Sequence, residues 1–139
     1  MARGLYGALV VEESRPPFAL ENDLTLILDD WRLDDQGRFD QSSLGEMTDW
    51  SHEGRLGNHL TVNGRRRPRF SVRSGSWVRL RFINASNARI LQIDPNSFGG
   101  RIIALDGQAL RKAESVPYSP YPLAPGERVD FMPGRIGSA

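Results

Sequence analysis

From Trp77 to Asn84 the chain alternates: Val78, Leu80 and Phe82 fall on one side of an extended strand and Arg79 and Arg81 on the other. One face is expected to pack and the other to meet water. Phe70 and Val72 repeat the pattern between Arg69, Ser71 and Arg73, and Ser74-Gly75-Ser76 supplies turn chemistry, so the two segments predict a hairpin. Leu24, Leu26 and Leu28 share one face of a strand running to Trp31, and Leu5 to Val11 is a second apolar run. Both are expected to be partly buried. Arg101 to Leu105, ended by Asp106-Gly107, and Arg128 to Met132, with Val129 and Phe131 on one side, are two more strands. Pro117 to Pro125 carries four prolines and reads as an extended connection across the end of a sandwich, while Asp34 to Asn58 is a polar excursion broken at most by a helical turn. Short strands joined by turns and long connections predict an all-β chain, a β-sandwich or flattened barrel.

Composition narrows the function more than the fold. The 139 residues suit a single domain spanning 1–139. The net charge of +1 gives the whole molecule no field to steer it toward nucleic acid or an anionic membrane, so neither partner is expected. Lys112 is the one lysine among 18 basic residues, a bias that a GC-rich genome explains as readily as any need for guanidinium chemistry. The absence of cysteine excludes disulfides, thiolate zinc, iron–sulfur clusters and blue-copper ligation by this chain. No stretch approaches the ~20 apolar residues of a membrane span, and Met1 to Gly7 has no signal-peptide core.

Six phrases in order then carry a resemblance. Gly4-Leu5-Tyr6-Gly7-Ala8-Leu9-Val10-Val11, followed by Leu26 to Trp31, resembles the junction between the first and second domains of bacterial multicopper oxidases. Thr61-Val62-Asn63-Gly64 and Val78-Arg79-Leu80-Arg81-Phe82-Ile83-Asn84-Ala85-Ser86-Asn87-Ala88-Arg89 resemble that family's "TVNG" and "RLRxxNAxNAR" phrases. Ala104 to Gly107 and Leu123 to Asp130 resemble its closing "DG…L…PGER" segment.

The resemblance implies a cupredoxin-like Greek-key β-sandwich, the second (middle) domain of the laccase and copper-resistance oxidase type. Residues 1–12 would be the junction with the preceding domain and 133–139 a flexible tail, with the terminal strand incomplete or supplied by a partner. It also implies that copper sits elsewhere in the parent, in a mononuclear site and a trinuclear cluster built by the first and third domains. Those domains are then the expected partners, self-association through uncovered surface is a further expectation, and the parent would be periplasmic or secreted although this chain shows no export signal. The parent reaction would couple four one-electron oxidations of a phenol or metal ion to reduction of dioxygen to water.

No catalytic, cofactor-binding or copper-ligating residue is expected in the chain itself, because the resemblance implies a copper cluster held by His-X-His motifs and the sequence holds only His52 and His59. These two, with Asp49 or Glu53, are the candidates for a weak adventitious metal site and otherwise read as exposed loop residues. Asp29-Asp30 and Asp34-Asp35 are the carboxylate pairs a hydrolase would need, but neighbours in a strand point to opposite faces. Trp31 and Trp77 read as strand-end core residues, with Trp50 in the open loop. Arg65-Arg66-Arg67-Pro68-Arg69 puts four guanidinium groups into five residues, which supports an alternative: a standalone binding or assembly module contacting an anionic partner.

Overall fold

A computed structural model describes residues 3–11, 14, 22–42, 44–51 and 54–134. Its strands are β1 (Asp23–Trp31), β2 (His59–Val62), β3 (Arg79–Asn84), β4 (Leu91–Ile93), β5 (Arg101–Leu105), β6 (Gln108–Glu114), β7 (Tyr121–Leu123) and β8 (Arg128–Met132), with a short helix, α1 (Met47–Ser51), and a 3-10 turn at Pro95–Phe98. They form a mixed six-stranded sheet in the order β2-β1-β3-β8-β5-β6 and a two-stranded sheet, β4-β7. The insertion of β8 between β3 and β5 is the non-sequential neighbour pattern that Greek-key connections produce. All-β character and the sandwich are as the alternation predicts.

Period-two patterning sets the layers. β1 and β3 run parallel with Leu26 opposite Phe82, and β3 pairs antiparallel with β8, placing Phe82 opposite Val129 and Leu80 opposite Phe131. Leu26, Leu28, Phe82, Ile102, Val129 and Phe131 thus share one face, and Leu91 and Leu123 of the small sheet close over them. Phe131 sits at the centre, edge-on to Phe82, Phe98 and Tyr121 at centroid distances of 5.7 to 5.8 Å. Burying each such side chain is worth about 1.5–3 kcal/mol, so this cluster is the main apolar store of the fold.

Several expectations are corrected. The hairpin between 69–73 and 77–84 does not form: β3 starts at Arg79, not Trp77, and its neighbours are β1 and β8. Those strands offer a line of buried Leu and Val side chains, whereas Phe70 is 43% exposed, and Trp77, expected in the core, is 44% exposed. Leu5 to Val11 forms no strand and is partly buried only at Tyr6; its other residues are exposed. The Pro117–Pro125 connection contains β7, where Pro122 stands opposite Gln92 in a strand with a single neighbour, so its missing N–H costs no ladder bond on the free side. Pro133, placed in the flexible tail by the sequence, is fully buried; 135–139 lie outside the described residues. The excursion 34–58 does hold only the one helical turn among its described residues.

Candidate functional site

The face of the large sheet turned away from the core is the feature of this chain that most needs explaining. Arg79 and Arg81, expected to meet water, instead form a charge chain across it. Arg79 Nε and Nη2 both donate to Asp130 Oδ2, at 2.9 and 2.6 Å, and both residues are buried. Arg81 donates to both oxygens of Asp23 and lies 3.9 Å from Asp130. Charges this far from water are retained at a desolvation cost that only close, paired geometry offsets. β3 supplies both arginines, β1 supplies Asp23 and β8 supplies Asp130, so the network locks the registers of the three strands.

Over this face runs Tyr6 to Val11. A groove of about 620 Å³ separates the two, walled by Gly7 to Val11 on one side and by Ile27, Arg79, Arg81 and Ile83 on the other. The segment is tied down at Tyr6, whose hydroxyl donates to Asp29. Burial first, then this bond and the charge of Asp29, push the phenol well above its ordinary value. Burial also raises the Asp29 carboxyl, which the Tyr6 hydroxyl and the Asp30 amide partly offset. Beyond that anchor Leu9 is 91% and Val11 80% exposed, and residues 7–11 make no backbone hydrogen bond to the other described residues.

The family phrases are structural here. Asn84 is buried: its amide donates to the carbonyls of Arg89 and Leu123 at 2.8 Å each, and its Oδ1 accepts from the amide and hydroxyl of Ser86. Its backbone meets Glu127 and Gly126, so one asparagine sews the end of β3 to the turn before β8. Asn87 of the same phrase is exposed. Asn63 and Gly64 adopt positive φ of 50° and 71°, and the Asn63 side chain pairs with the backbone of Ile27 and Thr25.

The adjacent acids diverge as strand geometry requires, but both are buried rather than solvated. Asp29 faces Tyr6, while Asp30 Oδ2 accepts from Gly57 N at 2.6 Å and pairs with Arg89 at 2.8 Å. Asp34 caps the amides of Gln36 and Arg38, and the Arg38 amide leads the interactions that hold its carboxyl below the ordinary value. Asp29 and Asp30 take different partners on opposite sides of β1, so they are not arranged as an acid–base couple. Trp31 packs edge-on to Phe39 at 6.0 Å.

His59, expected in an exposed loop, lies half-buried in β2 opposite Trp31; His52 and Glu53 lie outside the described residues. Among the described residues no group of three or more His, Cys, Asp or Glu side chains is placed to hold a metal ion. With no cysteine and two histidines in the sequence, the donor set does not fit a copper cluster. The arginines at 65, 66, 67 and 69 are exposed.

A multi-copper oxidase from Pseudomonas thermotolerans matches 99% of this chain at a TM-score of 0.81 and 34% identity, the match covering 32% of that protein. The chain belongs to the multicopper oxidase family. Lac15, from a marine microbial metagenome, matches this family member at a TM-score of 0.69 and 35% identity, again over 99% of the chain. In sequence the chain is 34% identical over 137 residues to the cell division protein FtsP of Proteus mirabilis, covering 93% of this chain. It spans about a quarter of the length of such relatives, 27% in that case. No family model matches it. The fold is therefore a cupredoxin-like sandwich, and the Asn63-Gly64, Asn84 and Asp106-Gly107 phrases do the work of turns and strand ends.

Proposed function

We propose that this chain is the copper-free middle domain of a multicopper-oxidase-type protein. It spaces the first and third domains so that their shared copper cluster can assemble, and it is inactive alone. The observation that carries this reading is the segment Leu5–Val11. Past its half-buried Tyr6 anchor it is apolar, exposed, without backbone hydrogen bonds to the other described residues, and stretched over a charge-locked sheet face. A run of this composition is unstable against water and serves as a surface that a neighbouring domain covers. The whole chain acts as one domain, with residues 1–12 forming the junction. The parent is periplasmic or secreted, and its copper centres would carry out the oxidation of a phenol or metal ion by dioxygen.

The curated relatives favour a second reading of the same architecture: they are named cell division proteins, so the parent's task would be assembly rather than oxidation. Both readings predict that the isolated chain takes up no stoichiometric copper and consumes no dioxygen. Stoichiometric copper with turnover would overturn both.

A further inference from the structure

The basic segment that the fold leaves unused has a second property. Residues 65–77 hold five of the chain's eighteen basic residues, at 65, 66, 67, 69 and 73, and none of its seventeen acids. The remaining thirteen cations are outnumbered by the acids, so the near-zero net charge conceals a polarised molecule. Arg32, Arg38, Arg79, Arg81, Arg89 and Arg128 all find carboxylates, whereas Arg65, Arg66, Arg67, Arg69 and Arg73 make no side-chain ion pair or hydrogen bond among the described residues. Their base is rigid. Val62 and Arg65 exchange backbone hydrogen bonds of 2.8 and 3.0 Å around the Asn63-Gly64 turn, itself fastened to β1 by the Asn63 side chain.

Along this same segment Phe70 is 43% exposed and Trp77 44% exposed, with Val72 between them. No strand forms here, and the exposed cations at 65, 66, 67, 69 and 73 share this stretch of chain with the exposed Phe70. Guanidinium groups beside aromatic rings match an anionic lipid surface: phosphates take the cations while rings enter the headgroup layer. Nucleic acid would need only the cations, and the duplex DNA arm of the test below separates it from the lipid surface.

We propose that residues 65–77 are a docking site for an anionic bilayer surface, which replaces the expectation of no membrane partner drawn from net charge alone. This is peripheral attachment; no helix among the described residues is long and apolar enough to cross a membrane. The test is co-sedimentation of the full chain with vesicles of phosphatidylglycerol and phosphatidylcholine, with pure phosphatidylcholine vesicles and with duplex DNA. Binding is expected to the anionic vesicles alone and to weaken with salt. Each arginine replaced by serine should cost about fivefold, the equivalent of ~1 kcal/mol per basic residue near an anionic surface. Replacing Arg65, Arg66, Arg67 and Arg69 together should cost at least about a hundredfold, with the melting curve unchanged because none of the four has a partner to lose. Phe70→Ser should weaken binding to vesicles of the same charge. Absence of binding, equal binding to neutral vesicles, undiminished binding by the quadruple variant, or binding to duplex DNA as tight as to anionic vesicles would each overturn the proposal.

Discussion

Asn84→Ala tests whether the family phrase at the end of β3 is structural. The substitution removes both donors to the Arg89 and Leu123 carbonyls and the acceptor for Ser86, in a site that is almost fully buried. A hydrogen bond contributes about 1 kcal/mol net, and a buried group left without its partner costs about 1–3 kcal/mol. The Ser86 hydroxyl can still reach the Arg89 carbonyl at 2.9 Å, so the orphans reduce to the Leu123 carbonyl and the Ser86 amide. The expected loss is therefore about 3 kcal/mol. At about 4 °C per kcal/mol for a chain of this size, Tm falls by about 12 °C. Urea unfolding followed by circular dichroism gives the free energy, and calorimetry gives Tm. Asn87→Ala is the control: exposed, it should change stability by less than about 0.5 kcal/mol. A loss below about 1 kcal/mol at Asn84, or equal losses at both asparagines, would refute the reasoning.

Two further outcomes follow from the anchors. Burial raises the Asp29 carboxyl, so the folded chain binds that proton more tightly than the unfolded one; its contribution is full below the ordinary value of 3.8 and is lost as pH rises through the folded value. Asp29→Asn keeps an acceptor for Tyr6 and should flatten this part of the stability profile, measured as urea midpoints between about pH 4 and pH 8; an unchanged slope contradicts the assignment. Gly64→Ala adds a Cβ that meets nothing within 4 Å, so its cost is purely that of φ +71°. That predicts a loss of about 1 kcal/mol with an unchanged urea slope, and no loss would contradict it.

Legibility from sequence followed the reach of each interaction. Strands β1, β3, β5 and β8 alternate within themselves and were readable, as were the Asn63-Gly64 and Asp106-Gly107 turns, whose first residues have φ of 50° and 47°. β6 was not, because Gln108 to Glu114 is an edge strand with no fully buried residue. The false hairpin arose from treating sequence neighbours as sheet neighbours, when β3 pairs with segments far away on both sides. Leu5 to Val11 differs for another reason: an apolar run signals burial, but past Tyr6 none of the described residues covers it. The Tyr6–Asp29 and Arg79–Asp130 pairs join residues 23 and 51 positions apart, and no local pattern announces them.

The most direct test of the central claim is copper stoichiometry. The chain is reconstituted with excess Cu(II), desalted, and assayed for metal by elemental analysis and for bound Cu(II) by paramagnetic resonance, with oxygen uptake on a phenolic substrate in parallel. A structural domain with two histidines and no cysteine is predicted to retain no stoichiometric copper, show no blue-copper signal and consume no oxygen. One or more coppers per chain with turnover would contradict the account and place His52 and His59 in a site shared between chains.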